Sequence, residues 1–126
     1  MMSETIKDIL IVDDEEQMRL ALRRMLEKEG YSVREAENGE KAIRAHREKQ
    51  ADLIITDIIM PDKEGLGTIV ELKSEFPDVK IFAMSGGGKN SPDQYLRMAK
   101  GLGVDRVFIK PFNREDILSA VEDALG

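Results

Sequence analysis

Four short apolar runs in this chain each end in a reactive polar residue, and that pattern limits the possible fold more than any other feature. Ile9-Leu10-Ile11-Val12 runs into Asp13-Asp14, and Leu53-Ile54-Ile55-Thr56 runs into Asp57. Ile81-Phe82-Ala83-Met84 precedes Ser85, and Val107-Phe108-Ile109 precedes Lys110. Continuous apolar runs of this length, bounded by polar residues, glycine or proline, read as strands buried on both faces, as in a parallel sheet. In open α/β sheets, ligands bind in the crevice outside the carboxyl ends of the strands. Three carboxylates, a hydroxyl and an ammonium are thus delivered to one edge of one sheet.

Helical patterns fill the intervals. Met18, Ala21, Leu22, Met25 and Leu26 recur at helical spacing, and Gly30 stops that helix. Tyr31 to Ala36 reads as a further strand, with Tyr31, Val33 and Glu35 alternating. Asn38 caps a helix running to about Lys49, and Pro61-Asp62 breaks the chain before a helix from Glu64 to Phe76. A strand from Val79 to Ser85 meets Gly86-Gly87-Gly88, after which Ser91-Pro92-Asp93-Gln94 forms a capping box. The last strand covers Arg106 to Lys110. Asn113, with Glu115 and Asp116, starts a final helix whose Ile117, Leu118, Val121 and Leu125 share a face. Strand and helix alternate throughout, so the expected fold is α/β: one parallel sheet covered on both sides by right-handed crossovers.

At 126 residues the chain suits one domain spanning 1–126, with no repeat or linker. A 41% hydrophobic and 35% charged composition is that of a globular protein. The formal charge is −6 and the basic residues are scattered, which argues against direct nucleic-acid binding. Without cysteine there are no disulfides or thiolate metal sites. No apolar stretch approaches the roughly 18 residues of a membrane span, and the N-terminus lacks a signal-peptide core. A cytoplasmic location is expected.

Three carboxylates at one strand edge repel one another unless some stay protonated or a cation joins them. An oxygen-only donor set favours Mg²⁺ or Mn²⁺ over zinc or copper. Lys110 adds a positive point charge, and Ser85 adds a hydroxyl beside glycines whose N–H groups are accessible. These parts suit an incoming phosphoryl group, and a carboxylate among them can accept it as an aspartyl phosphate.

The motifs Val12-Asp13-Asp14-Glu15, Asp57-Ile58-Ile59-Met60-Pro61 with Gly65, Ser85 before glycine, and Lys110-Pro111-Phe112 occur in this order, each at a strand end. Together they make nearly the whole chain resemble the receiver domain of two-component response regulators. That resemblance implies a flavodoxin-like (βα)5 fold of three layers with strand order 2-1-3-4-5. It implies that Asp57 accepts phosphate from a sensor histidine kinase or a histidine phosphotransfer protein. It gives Asp13 and Asp14 as holders of Mg²⁺, with Asp57 a further ligand and the Ile59 carbonyl completing the protein share. Ser85 then matches the switch hydroxyl, Lys110 the lysine that contacts the phosphoryl group, and the Lys110–Pro111 bond is expected to be cis. The surface of the fourth helix, fifth strand and fifth helix would be the output face, presenting Gln94, Arg97, Lys100, Asp105, Arg106 and Glu122. It admits a monomer or a weak phosphorylation-dependent dimer and names no output protein.

The sequence departs from that family in three places. Receivers often carry an aromatic residue three before the lysine, where this chain has Val107, and Phe108 points to the opposite face. Switching is therefore expected in Ser85, Gly86 and the following loop and helix rather than in an aromatic rotamer. The stretch from Ser85 to Lys110 is a few residues longer than usual, with the excess in the glycine loop, which is expected to order around phosphate. Ile59 and Gly87, two beyond Asp57 and Ser85, offer no side chain to orient water. Slow self-dephosphorylation is expected.

Simpler readings have less support. Asp13-Asp14 alone would read as a helix cap, but Asp57 and Lys110 join it. The glycine run lacks the first glycine and the terminal Ser/Thr of a phosphate loop, and Gly101-Leu102-Gly103 reads as a helix C-cap. His46 is expected on a solvated helix face, and Met18, Met25 and Met98 in the core. A phosphorylation-independent adaptor would not need the full set of acceptor-site residues. An enzyme acting on small phosphate esters would need a second acid where Ile59 stands. A phosphoacceptor switch, rather than an enzyme with an external substrate, is the leading reading.

Overall fold

Successive side chains of a strand point to opposite faces, and in the three central strands both faces meet apolar partners. The computed structural model describes residues 6–58, 64–85 and 92–126. Its elements are β1 (Asp8–Val12), α1 (Glu16–Lys28), β2 (Ser32–Ala36), α2 (Gly39–Glu48), β3 (Leu53–Asp57), α3 (Glu64–Glu75), β4 (Ile81–Ser85), α4 (Pro92–Gly101), β5 (Arg106–Ile109) and α5 (Arg114–Leu125). The strands form one parallel sheet of order β2-β1-β3-β4-β5, as expected. Ile9, Ile11, Leu53, Ile55, Phe82 and Met84 face Leu22 and Leu26 of α1 and Ile117 and Val121 of α5. Leu10, Val12, Ile54, Ile81 and Ala83 face α2, α3 and α4. Helices thus cover both sides, and β1, β3 and β4 are buried along their whole length.

The ends of the elements follow local chemistry. The Asn38 side chain accepts from the Lys41 N–H at 2.8 Å, and Asn113 accepts from Asp116 at 3.0 Å. Gly30 and Gly103 close α1 and α4 with φ of 94° and 91°, conformations that glycine adopts without penalty. Strand β4 begins at Ile81, although Val79 is already buried. Pro61-Asp62, the glycine loop Gly86 to Asn90 and the Ser91 cap lie outside the described residues.

His46 differs from expectation. It is 1% exposed, its Nδ1 accepts the Ala51 N–H at 2.9 Å, and its ring meets Phe76 edge-to-face at 4.5 Å. Helical spacing from Ala42 and Ile43, both buried, places it on the inner face of α2. Met18 and Met25 do pack against the core, but Met98 is 49% exposed. Burial holds the His46 imidazole below its usual pKa, with Arg34 acting the same way and Asp8 and Glu75 opposing. The unfolded chain therefore takes up a proton here before the folded one does. Stability is complete above about pH 6.5 and falls as the pH drops below it. Urea midpoints compared at pH 8 and pH 5.5 should show this loss in the wild type and a smaller one in His46→Asn.

Candidate functional site

The hydrogen-bond ladders continue one residue past the strands and so aim the polar residues at the crevice. The Asp13 N–H donates to the Ala36 carbonyl at 3.2 Å, Ile58 to Met84 at 2.9 Å, and Lys110 to Ser85 at 2.7 Å. Because β1 has β2 on one side and β3 on the other, chain connections diverge at the β1/β3 boundary. That is the switch point where such sheets bind ligands. Gly65, in the first turn of α3, lies directly on the residue after Asp57. A Cβ built there would stand 2.4 Å from the Ile58 Cα and carbonyl oxygen, so any side chain would push the helix off the site.

Asp13, Asp14 and Asp57 offer carboxylate oxygens that lie within 4.8 Å of one another. Asp13 and Asp57 are buried and Asp14 is exposed. Lys110 Nζ stands 2.9 Å from Asp13 Oδ2 and 3.3 Å from Asp57 Oδ2. Burial pulls the Lys110 ammonium down, but hydrogen bonding to Asp13 and the charges of Asp57 and Asp13 outweigh it, so its pKa is raised. One ammonium against three carboxylates leaves excess negative charge, and the donors are all oxygen. The residues fit a hard divalent cation, with solvent access from the Asp14 side.

The Ser85 hydroxyl is buried in the same crevice and has no hydrogen-bond partner among the described residues. A buried hydroxyl without a partner is costly unless a ligand meets it. The Lys110–Pro111 bond is cis, as expected. The structure therefore brings Asp13, Asp14, Asp57, Ser85 and Lys110 together, while Ile59 and Gly86 lie outside the described residues.

The chain matches the family model described as the response regulator receiver domain over residues 9–122. It belongs to that family. This receiver domain is 34% identical over 119 residues to the chemotaxis protein CheY of Halobacterium salinarum, covering 94% of this chain and 97% of that one. It is 36% identical to the transcriptional regulator NtrC of Azospirillum brasilense, covering 94% of this chain but only 24% of NtrC. The receiver domain of NtrX from Brucella abortus superposes with a TM-score of 0.86 at 28% identity, over 94% of this chain and 98% of that one. Receiver domains act as phosphoacceptor switches in two-component signalling, where they meet sensor kinases and output domains.

One feature beside the site of this receiver domain was missed in its sequence. Arg19 Nη1 donates to the Asp13 carbonyl at 2.7 Å while its Nε donates to Glu35 at 3.0 Å. Alternation in β2 had marked Glu35, but not its partner. Val107 and Phe108 do face opposite sides of the sheet: Val107 lies with the α2–α4 cluster, and Phe108 lies 5.6 Å from Phe82 and 6.0 Å from Phe112. No described helix is long and apolar enough to cross a membrane.

Proposed function

We propose that Asp57 is the phosphoacceptor of this domain and that the donor is the phosphohistidine of a sensor kinase or phosphotransfer protein. The observation that carries this reading is the placement of Asp57. It is 5% exposed at the end of a central strand, with Lys110 at 3.3 Å and the acidic pair beside it. A carboxylate oxygen of Asp57 attacks phosphorus; the O–P bond forms as the N–P bond to the donor imidazole breaks. The electron pair returns to the imidazole, which ends neutral and protonated at its other nitrogen. Lys110, held against Asp57, takes up the charge of the phosphoryl oxygens, and the Ser85 hydroxyl donates to one of them.

Asp13, Asp14 and Asp57 would hold Mg²⁺, or Mn²⁺, with the Ile59 carbonyl completing the set. When bound, the ion neutralises the carboxylates and the incoming phosphoryl oxygens. Ile59 and Gly87 leave the attacking water unoriented, so self-dephosphorylation is slow. The output face holds a cleft of about 620 Å³ lined by Arg97, Lys100, Val107, Phe108, Pro111 and Phe112 among others. Its output partner binds there, and a cytoplasmic location accompanies this reading.

Radiolabelled acetyl phosphate with Mg²⁺ tests it. The wild type should become labelled and keep the label in Mg²⁺ alone, and Asp57→Ala should not be labelled. Labelling of both proteins, or of neither, would contradict the proposal.

A further inference from the structure

Arg19 is tied to the acid pair through the backbone. Its guanidinium bridges the last residue of the β1 ladder and a carboxylate on β2: Nη1 to the Asp13 carbonyl at 2.7 Å, Nε to Glu35 Oε1 at 3.0 Å. Glu35 Oε2 accepts from Arg23 Nη1 at 2.7 Å, and Arg23 Nε donates to Glu27 at 3.0 Å. Hydrogen bonding to Arg23, ahead of that to Arg19, holds the Glu35 carboxyl below its usual range despite burial. Arg19 itself is mostly buried, with 15% of its side chain exposed.

The Asp13 carbonyl belongs to the peptide unit that joins Asp13 to Asp14. Asp13 is fixed from every side, its Oδ1 accepting the Glu15 N–H at 2.9 Å and its Oδ2 meeting Lys110 at 2.9 Å. Asp14 has no such anchor: it is exposed, and no described hydrogen bond holds its carboxylate. The backbone from which its side chain springs is set in part by the plane of the peptide before it. That plane is held by Arg19, and Arg19 is held by Glu35.

We infer that Arg19, braced by Glu35, is a positioning residue that aims the Asp14 carboxylate at the divalent ion. Groups that orient ligands without touching the metal typically contribute 10- to 100-fold to its affinity. The inference rests on the reading of Asp13, Asp14 and Asp57 as the ion's holders.

Charge and positioning make opposite predictions here, which gives the test its force. As a mere positive charge near an acidic cluster, Arg19 would oppose cation binding, and removing it would tighten the site. As a positioning residue, its removal loosens the site. Calorimetric titration of the full chain with MgCl₂ should show Arg19→Gln weakened about tenfold. Arg19→Lys keeps the charge but cannot reach both partners with a rigid fork, so it should also be weakened. Glu35→Gln, which leaves the Asp13 bond but slackens the brace, should lie between it and the wild type. Thermal unfolding of each variant separates lost folding from lost affinity. If Arg19→Gln does not fold, the charge-conserving Arg19→Lys titration decides. Affinity in the variants equal to or tighter than wild type overturns the inference. No Mg²⁺ binding by the wild type overturns the site reading itself.

Discussion

Replacing Arg34 by methionine should destabilise the domain by roughly 2–3 kcal/mol. That is less than for a fully buried ion pair, about 3–5 kcal/mol, because 28% of the Arg34 side chain is exposed. Asp8 stands at the start of β1 with 6% of its side chain exposed, and Arg34 is its cation. The guanidinium donates to Asp8 Oδ2 from Nε at 2.9 Å and from Nη2 at 2.5 Å. It also donates from Nη1 to the Ala45 carbonyl at 3.0 Å and from Nη2 to the Lys49 carbonyl at 2.7 Å, closing the C-terminal end of α2. One side chain thus joins β1, β2 and α2 at the end of the sheet remote from Asp57. Without it, a carboxylate whose Oδ1 already has no described partner would be buried with no counter-charge. Urea unfolding should show a lower midpoint with an unchanged slope. Adding Asp8→Asn to Arg34→Met should recover part of the loss by removing the buried charge. A loss below about 1 kcal/mol would mean that Asp8 is solvated well enough to stand alone.

Lys110→Met should reduce phosphoryl transfer from acetyl phosphate on the order of 10²-fold, the scale seen when one preorganised charge-stabilising group is removed. The same change should tighten Mg²⁺ binding, because no ammonium then competes within 3.3 Å for the oxygens of Asp13 and Asp57. Those carboxylates hold the Lys110 ammonium protonated. The wild-type rate should therefore show no loss of lysine charge until the pH passes the ordinary lysine range near about 10.4. Affinity and rate moving in opposite directions marks a group that serves the phosphoryl oxygens rather than the ion. If transfer were as fast in Lys110→Met as in the wild type, Lys110 would be only a structural counter-ion.

The strand ends were legible because a buried parallel strand needs an unbroken apolar run, and the first polar residue after it has only the sheet edge to occupy. That reasoning placed Asp13, Asp57, Ser85 and Lys110 correctly with no knowledge of their partners. Helix caps at Asn38 and Asn113 were readable for a similar reason, since a side-chain oxygen meets an N–H three residues away. His46 was misread because its polar type outweighed its spacing from Ala42 and Ile43, and spacing decides which face turns inward. The Arg34–Asp8 and Arg19–Glu35 contacts were not readable. Each depends on how far a long guanidinium reaches after β2 has docked beside β1, a register that exists only in the folded sheet.

The most direct test of the phosphoacceptor assignment is chemical. Phosphorylate the wild type with acetyl phosphate and Mg²⁺, reduce the acyl phosphate with borohydride, and locate the resulting homoserine by peptide mass spectrometry. The account predicts homoserine at position 57 alone. Homoserine at position 13 or 14, or none anywhere in a protein that carries the label, would contradict it.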